Sequence, residues 1–279
     1  MVNTNIPVVT MSTLGEKGRF GNQIFQYAFL KIYARVFNMR VETPRWVGQY
    51  LFGHNDPPIS KNLPVISELR QKNLQRIFAE PVPRYKNVDF AGNFQFHTSS
   101  FAPYKDYFQS LFIPVPEIKA EMDKGLAKLI SRGKTIIGLH IRRGDYKDYR
   151  GTNKQVYFYI APTAWYKNWL RTIWSKVPDP VLFIASDEIE AVTPDFSEYH
   201  PVTMQDLFSS LPKNYFYPDF YLLTQCHILA ISNSSFSFTA SMLNNKAKSF
   251  LRPVLHLKRL HPYNPWASDP LLNIVRRFY

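Results

Sequence analysis

Three short apolar runs in the second half of the chain each stop abruptly in a polar motif. TIIGLHI (135–141) runs into Arg142-Arg143-Gly144-Asp145, VLFIA (181–185) into Ser186-Asp187-Glu188, and ILAI (228–231) into Ser232-Asn233-Ser234-Ser235-Phe236-Ser237. Near-continuous apolar runs of this length suit strands buried on both faces, as in parallel sheets covered by helices. Between them, Trp165, Trp169, Ile173 and Trp174 fall on one helical stripe, and PDFYLLTQCH (218–227) reads as a further helix. Strands alternating with helices specify parallel βαβ units and a doubly wound α/β domain. Ligands of such folds bind beyond the carboxyl ends of the strands. Three polar strand ends are therefore expected in one crevice.

The first half is less regular. A β-like run over 6–11 leads through the glycine-punctuated loop TLGEKGRFGNQ (13–23) to a helix. Ile24, Phe25, Ala28, Phe29, Ile32, Tyr33 and Val36 recur there at the spacing of one face. Residues 40–115 are rich in proline and aromatics and read as irregular. Ile118, Met122, Leu126, Leu129 and Ile130 mark a second amphipathic helix, and LNIVRRFY (272–279) a short one at the end.

Charge narrows the partners. With 34 Lys and Arg against 21 Asp and Glu, the formal charge of +13 suits nucleic acid, a phosphorylated small molecule or peripheral contact with an anionic membrane. No cluster of Lys and Arg alternates with aromatics as in a nucleic-acid-binding module, which disfavours the first. A single cysteine, Cys226, excludes an internal disulfide and fits a reducing compartment. The seven histidines are scattered and no Asp-x-Asp pair occurs, so no metal site is expected. No signal-peptide pattern and no apolar run of about 20 residues is present, so a cytoplasmic location is expected, with any membrane contact at the inner face.

The motifs suggest anion chemistry. Guanidinium forks at Arg142 and Arg143 match phosphate oxygens, and Gly144 permits close backbone approach. Asp145 suits an arginine partner, a hydroxyl ligand or a proton acceptor. A charged surface turn explains the same four residues. Asp187 and Glu188 suit a guanine edge or ribose hydroxyls, and equally a helix N-terminus. Asn233 to Ser237 open a helix whose backbone N–H groups form an anion site, or are simply capped. Gly15 to Gln23 has the topology of a nucleotide-binding turn without its motif.

In order along the chain, these residues resemble the α-1,2-fucosyltransferases of glycosyltransferase family 11, bacterial branch. The resemblance rests on Phe20-Gly21-Asn22-Gln23-Ile24-Phe25-Gln26-Tyr27-Ala28, Gly92-Asn93-Phe94-Gln95 and His140-x-Arg142-Arg143-Gly144-Asp145. It continues in Ser186-Asp187-Glu188, Asp219-Phe220-Tyr221-Leu222 with Cys226, and Asn233 to Ser237. Two places depart from the family's pattern: the loop around Glu16, Lys17 and Arg19, and Phe238-Thr239 after the last motif.

The resemblance implies a glycosyltransferase B-type α/β fold, two Rossmann-like domains facing a cleft. Residues 1–117 would form the acceptor side, 118–265 the GDP-fucose-binding domain, and 266–279 a segment crossing back. It implies inverting, metal-independent transfer of fucose from GDP-β-L-fucose to the 2-hydroxyl of a galactose-terminated oligosaccharide, with no cofactor. The same donor motif also serves α-1,6 and protein O-fucose linkages. Arg142, Arg143, Asp187, Glu188, Asn233, Ser234, Ser235, Phe236 and Ser237 would bind the donor. His140 would lie at the cleft mouth, with Asp145 the first candidate base and Glu16 the second. Gly21, Asn22, Gln23, Phe94 and Gln95 would line the acceptor side.

Overall fold

The structure, a computed structural model, describes residues 6–210 and 215–272. The chain divides into two compact units, Met1–Pro116 with Trp266–Asp269, and Glu117–Pro265 with Pro270–Tyr279. The segment 266–279 is thus shared: only Trp266–Asp269 joins the first unit. The helix expected over 272–279 lies, from residue 273 on, outside the described residues.

The first unit is a four-stranded parallel sheet of β1 (Val8–Thr10), β2 (Arg40–Glu42), β3 (Val65–Ser67) and β4 (Val88–Ala91), in the order β2-β1-β4-β3. The region 40–115 supplies β2, β3 and β4. Strands of three or four residues are too short to display a period, which is why this part reads as irregular. Short strands bury little, and aromatic side chains complete the core. Phe29, on the helix Phe20–Val36, stacks on Phe94 at 3.9 Å and meets the edge of Phe90 at 5.1 Å.

The second unit holds β5 (Thr135–Ile141), β6 (Pro180–Ser186), β7 (Ile228–Ala230), β8 (Ser249–Val254) and β9 (Arg259–Pro262), ordered β6-β5-β7-β8-β9. Only β9 runs antiparallel to its neighbour. The helices Thr163–Ile173, Tyr217–Leu223 and Ser235–Leu243 connect successive parallel strands. Because β6 flanks β5 on one side and β7 on the other, the winding reverses at β5. That is the switch point at which such sheets open a crevice.

The core of this unit gathers Ile137, Leu139 and Ile141 of β5 with Leu182 and Ile184 of β6. From the helix Thr163–Ile173 it takes Tyr166 and Leu170, both wholly buried, whereas Trp165, Trp169, Ile173 and Trp174 pack around the margin. The stripe of tryptophans expected from spacing is therefore the flank of the buried face. Gly138 is a point of close approach: a Cβ there would lie 2.4 Å from the Sγ of Cys226. This buried thiol, its pKa pushed up by burial, is a packing group.

Candidate functional site

The three polar motifs meet at the carboxyl ends of β5, β6 and β7, which are neighbours in the sheet. Arg142 leaves β5 between two carboxylates. It pairs through Nη2 with Asp145 and through Nη1 with Asp187 Oδ2 at 2.7 Å, and its guanidinium lies 5.3 Å from the Tyr146 ring. The backbone N–H of Arg143 donates to the other oxygen of Asp187 at 2.9 Å. Gly144 makes this possible: its φ is +24° and a Cβ would stand 2.1 Å from Asp187 Oδ2. Asp187 thus anchors the turn that carries the arginines. Glu188, assigned with Asp187 to guanine or ribose, is instead paired with Lys147 at 2.6 Å through both oxygens.

Arg143 differs from Arg142. Its Nη1 donates to the carbonyl of Ala161 at 3.0 Å, and it pairs with no carboxylate among the described residues. One arginine is fixed in orientation and largely neutralised, and the other keeps its charge.

Beyond β7, the helix Ser235–Leu243 begins with extended Ser234, which makes no side-chain cap, and its first turn holds no acid. The Tyr146 hydroxyl donates to the neighbouring carbonyl of Asn233 at 3.0 Å. Ordinary capping, the alternative open in the sequence, is therefore not what the Ser234 side chain does. The N–H groups of Ser235, Phe236 and Ser237 make up a helix start suited to an anion.

Three assignments need correction. His140 is buried, not at a mouth: it shares a 2.7 Å hydrogen bond with Ser232 and lies 5.3 Å from the Phe236 ring. Burial, helped by Arg142, lowers its pKa to about 3, so the ring is neutral. Asn233 is a buried bracket. Its Nδ2 donates to the carbonyls of Tyr157 (2.6 Å) and Leu272 (3.0 Å), and its Oδ1 accepts from Leu272 N–H (2.8 Å) and Arg252 (3.2 Å). All four of its hydrogen-bonding directions are spent on the fold. Ser237 is also wholly buried, so its side chain belongs to the helix and only its N–H serves the helix start.

Sequence reasoning gave Asp219 no role. Its Oδ1 is buried without a hydrogen-bond partner, and burial raises its pKa to about 7. The neighbouring Phe220 ring meets Phe236, in the first turn of the helix Ser235–Leu243, at 5.3 Å. An acid next to aromatic residues at the head of a helix after a proline was the available signal, and ordinary helix-start chemistry masked it.

In the first unit, Gln23 donates to the carbonyls of Gly15 and Gly18 (3.2 and 3.3 Å), and Gln26 to those of Lys17 and Gly92 (3.0 and 2.9 Å). Asn22 accepts from Gln95 at 2.6 Å, Gly21 is buried in the first helical turn, and Glu16 is exposed. These amides hold the loop 13–19 in shape. Phe94 stacks no ligand: it is fully buried at φ +51° against Phe29. Among the described residues, no three His, Cys, Asp or Glu side chains gather as metal ligands, and no helix is long and apolar enough to cross a membrane.

The family model for Glycosyl transferase family 11 matches residues 4–253. No curated protein matches the sequence. Among solved structures, NodZ from Bradyrhizobium superposes with a TM-score of 0.61 at 13% identity, covering 94% of this chain and 99% of that one. NodZ α-1,6-fucosyltransferase soaked with GDP-fucose gives 0.60 at 14% identity over 93% and 99%. POFUT1 in complex with GDP gives 0.57 at 11% identity over 88% and 98%. At these identities the likeness establishes the fold.

Proposed function

The chain belongs to glycosyl transferase family 11, and from that premise we propose that it transfers L-fucose from GDP-β-L-fucose to the 2-hydroxyl of a terminal galactoside. The observation that carries the donor reading is the meeting of Arg142, Arg143 and an uncapped helix start at the switch point of the second unit. Breaking the bond between fucose and GDP leaves negative charge on the diphosphate. Preorganised donors aimed at that charge lower the barrier more than groups that must first reorient. Arg142 is such a donor, held by Asp145 and Asp187, while Arg143 supplies net charge. Metal independence follows as part of this reading, the two arginines and the helix start standing in the role of a cation.

Asp219 is the group suited to guanine, whose N1–H and exocyclic amine present two parallel donors to one carboxylate. Asp145 acts as a positioning residue for Arg142. Glu16, exposed on the first unit, is the candidate for accepting the proton of the attacking hydroxyl. The α-1,2 linkage rests on the ordered motif set at both ends of the chain.

The test is incubation of the purified protein with GDP-fucose and a terminal galactoside, with and without EDTA, followed by NMR of the product. The expected product is a fucose α-linked to the galactose 2-hydroxyl, formed at an unchanged rate with chelator. A fucose on the 6-hydroxyl or on a protein hydroxyl overturns the linkage and leaves the donor reading standing. Retention on nucleic acid without turnover overturns both.

A further inference from the structure

The strand β3 lies at the edge of the first unit's sheet, and the surface beside it combines exposed apolar side chains with cations. Leu69 is 92% exposed, Val82 68% and Val65 63%. The segments that carry them are tied together. The strand pairing sets Val65 against Asp89, the side chain of Arg84 donates to the carbonyl of Lys72 at 3.1 Å, and Tyr85 donates to Gln71 at 2.7 Å. Residues 65–72 therefore lie beside 84–91.

Lys61, Arg70, Lys72, Arg76 and Lys86 are exposed in the same stretch of chain. The segment 61–86 has two acids, and neither opposes them. Glu80 is paired with Arg84, and Glu68 turns its carboxylate onto the backbone N–H groups of Asn93 (2.7 Å) and Phe94 (3.0 Å). Lysines and prolines alone would serve to blunt an edge strand. They do not account for Leu69 and Val82, which stand outside β3 and cover nothing.

We propose that this surface docks the protein on an anionic lipid bilayer, the cations drawn to the headgroups and Leu69, Val65 and Val82 inserted at the acyl boundary. Isolated apolar side chains among uncompensated cations give reversible interfacial binding through two additive contributions, hydrophobic and electrostatic. A nucleic acid would use the cations without needing the aliphatic groups, and a second protein copy would need the aliphatic groups without this excess of one charge sign.

The experiment is co-sedimentation of the full chain with phosphatidylglycerol-containing and with pure phosphatidylcholine vesicles. Binding to the anionic vesicles only is expected, with release at high salt. Leu69→Ser should weaken it about tenfold and Lys72→Gln about fivefold, with thermal midpoints unchanged because both side chains are exposed. Failure to bind anionic vesicles overturns the proposal. So does binding that Leu69→Ser leaves intact, which would indicate a purely electrostatic surface for polyanions such as RNA. A concentration-dependent dimer abolished by Leu69→Ser, without vesicle binding, would assign the surface to a second copy.

Discussion

Two adjacent arginines, indistinguishable in sequence, are placed in different electrostatic settings. Arg142 donates from both arms to carboxylates, so its remaining N–H groups are aimed before any ligand arrives. A lysine there keeps the charge but cannot bridge Asp145 and Asp187 while presenting further donors. Arg142→Lys should therefore reduce kcat/KM by about 10²-fold or more, and Arg143→Lys by less, since its contribution is mainly charge. Equal losses in steady-state assays would refute the division of labour. If Asp145 positions Arg142, Asp145→Asn should lower GDP affinity, read by calorimetry, in step with rate. Lost transfer with unchanged affinity would return it to the role of base. The sequence made these residues visible as a cluster. Which carboxylate holds which arginine was illegible, because Asp187 arrives from another strand, and so Asp187 and Glu188 read as ligand contacts.

Buried titratable groups add a pH signature. His140 and His54, lowered by burial to about 3 and about 4, stay neutral in the fold. The unfolded chain binds their protons first, so this stability is present above about pH 6.5 and lost as pH falls below it. Asp219, raised to about 7, has the opposite sign. The native state holds its proton, and stability is lost as pH rises from about 4 through 7. Asp219→Asn removes only the second effect. Its thermal midpoint should exceed that of the wild type at about pH 8 and rise more steeply between about pH 4 and 7. Its affinity for GDP should fall, because an amide cannot accept both donors of the guanine edge. Unchanged GDP affinity would remove Asp219 from the donor site.

At the scale of elements, the buried strands were legible because length and apolarity coincide. TIIGLHI is β5 to the residue, with β6 and β7 close to the runs read for them. The helix Thr163–Ile173 was found, but its heavy tryptophans drew attention from Tyr166 and Leu170, which face the core. Composition marks size, not direction. Gly138, unremarked within that strand, is required by its contact with Cys226. Gly138→Ala should destabilise the protein by about 1–3 kcal/mol through overpacking. In denaturant titrations Cys226→Ala should cost little more in that background than the strain it relieves, so the two substitutions should couple favourably. Additive effects would mean that the strand shifts rather than clashes.

For the whole molecule, the end of the described chain serves both units within a few residues. Trp266 packs edge-on against Phe108 at 5.3 Å, and Ser268 exchanges backbone and hydroxyl bonds of 2.9 and 3.0 Å with Thr98, all inside the first unit. Leu272 then bonds Asn233 in the second, and Arg252 donates to the carbonyl of Pro270 at 3.3 Å. Asn233 directly precedes Ser234 and the helix start proposed to bind the diphosphate, so fold and donor site share one amide. Truncation to alanine leaves Leu272 N–H, the Tyr157 carbonyl and one arm of Arg252 without that partner, at a cost of about 1–3 kcal/mol for each buried group left unsatisfied. Asn233→Ala should accordingly lower both the urea midpoint and GDP affinity. Trp266→Ala, which loses the packing on Phe108 and the cation–π contact with Lys105 in the first unit, should lower the midpoint and leave GDP affinity where it was. If Asn233 were a ligand contact and no bracket, its alanine variant would lose GDP affinity with the urea midpoint intact.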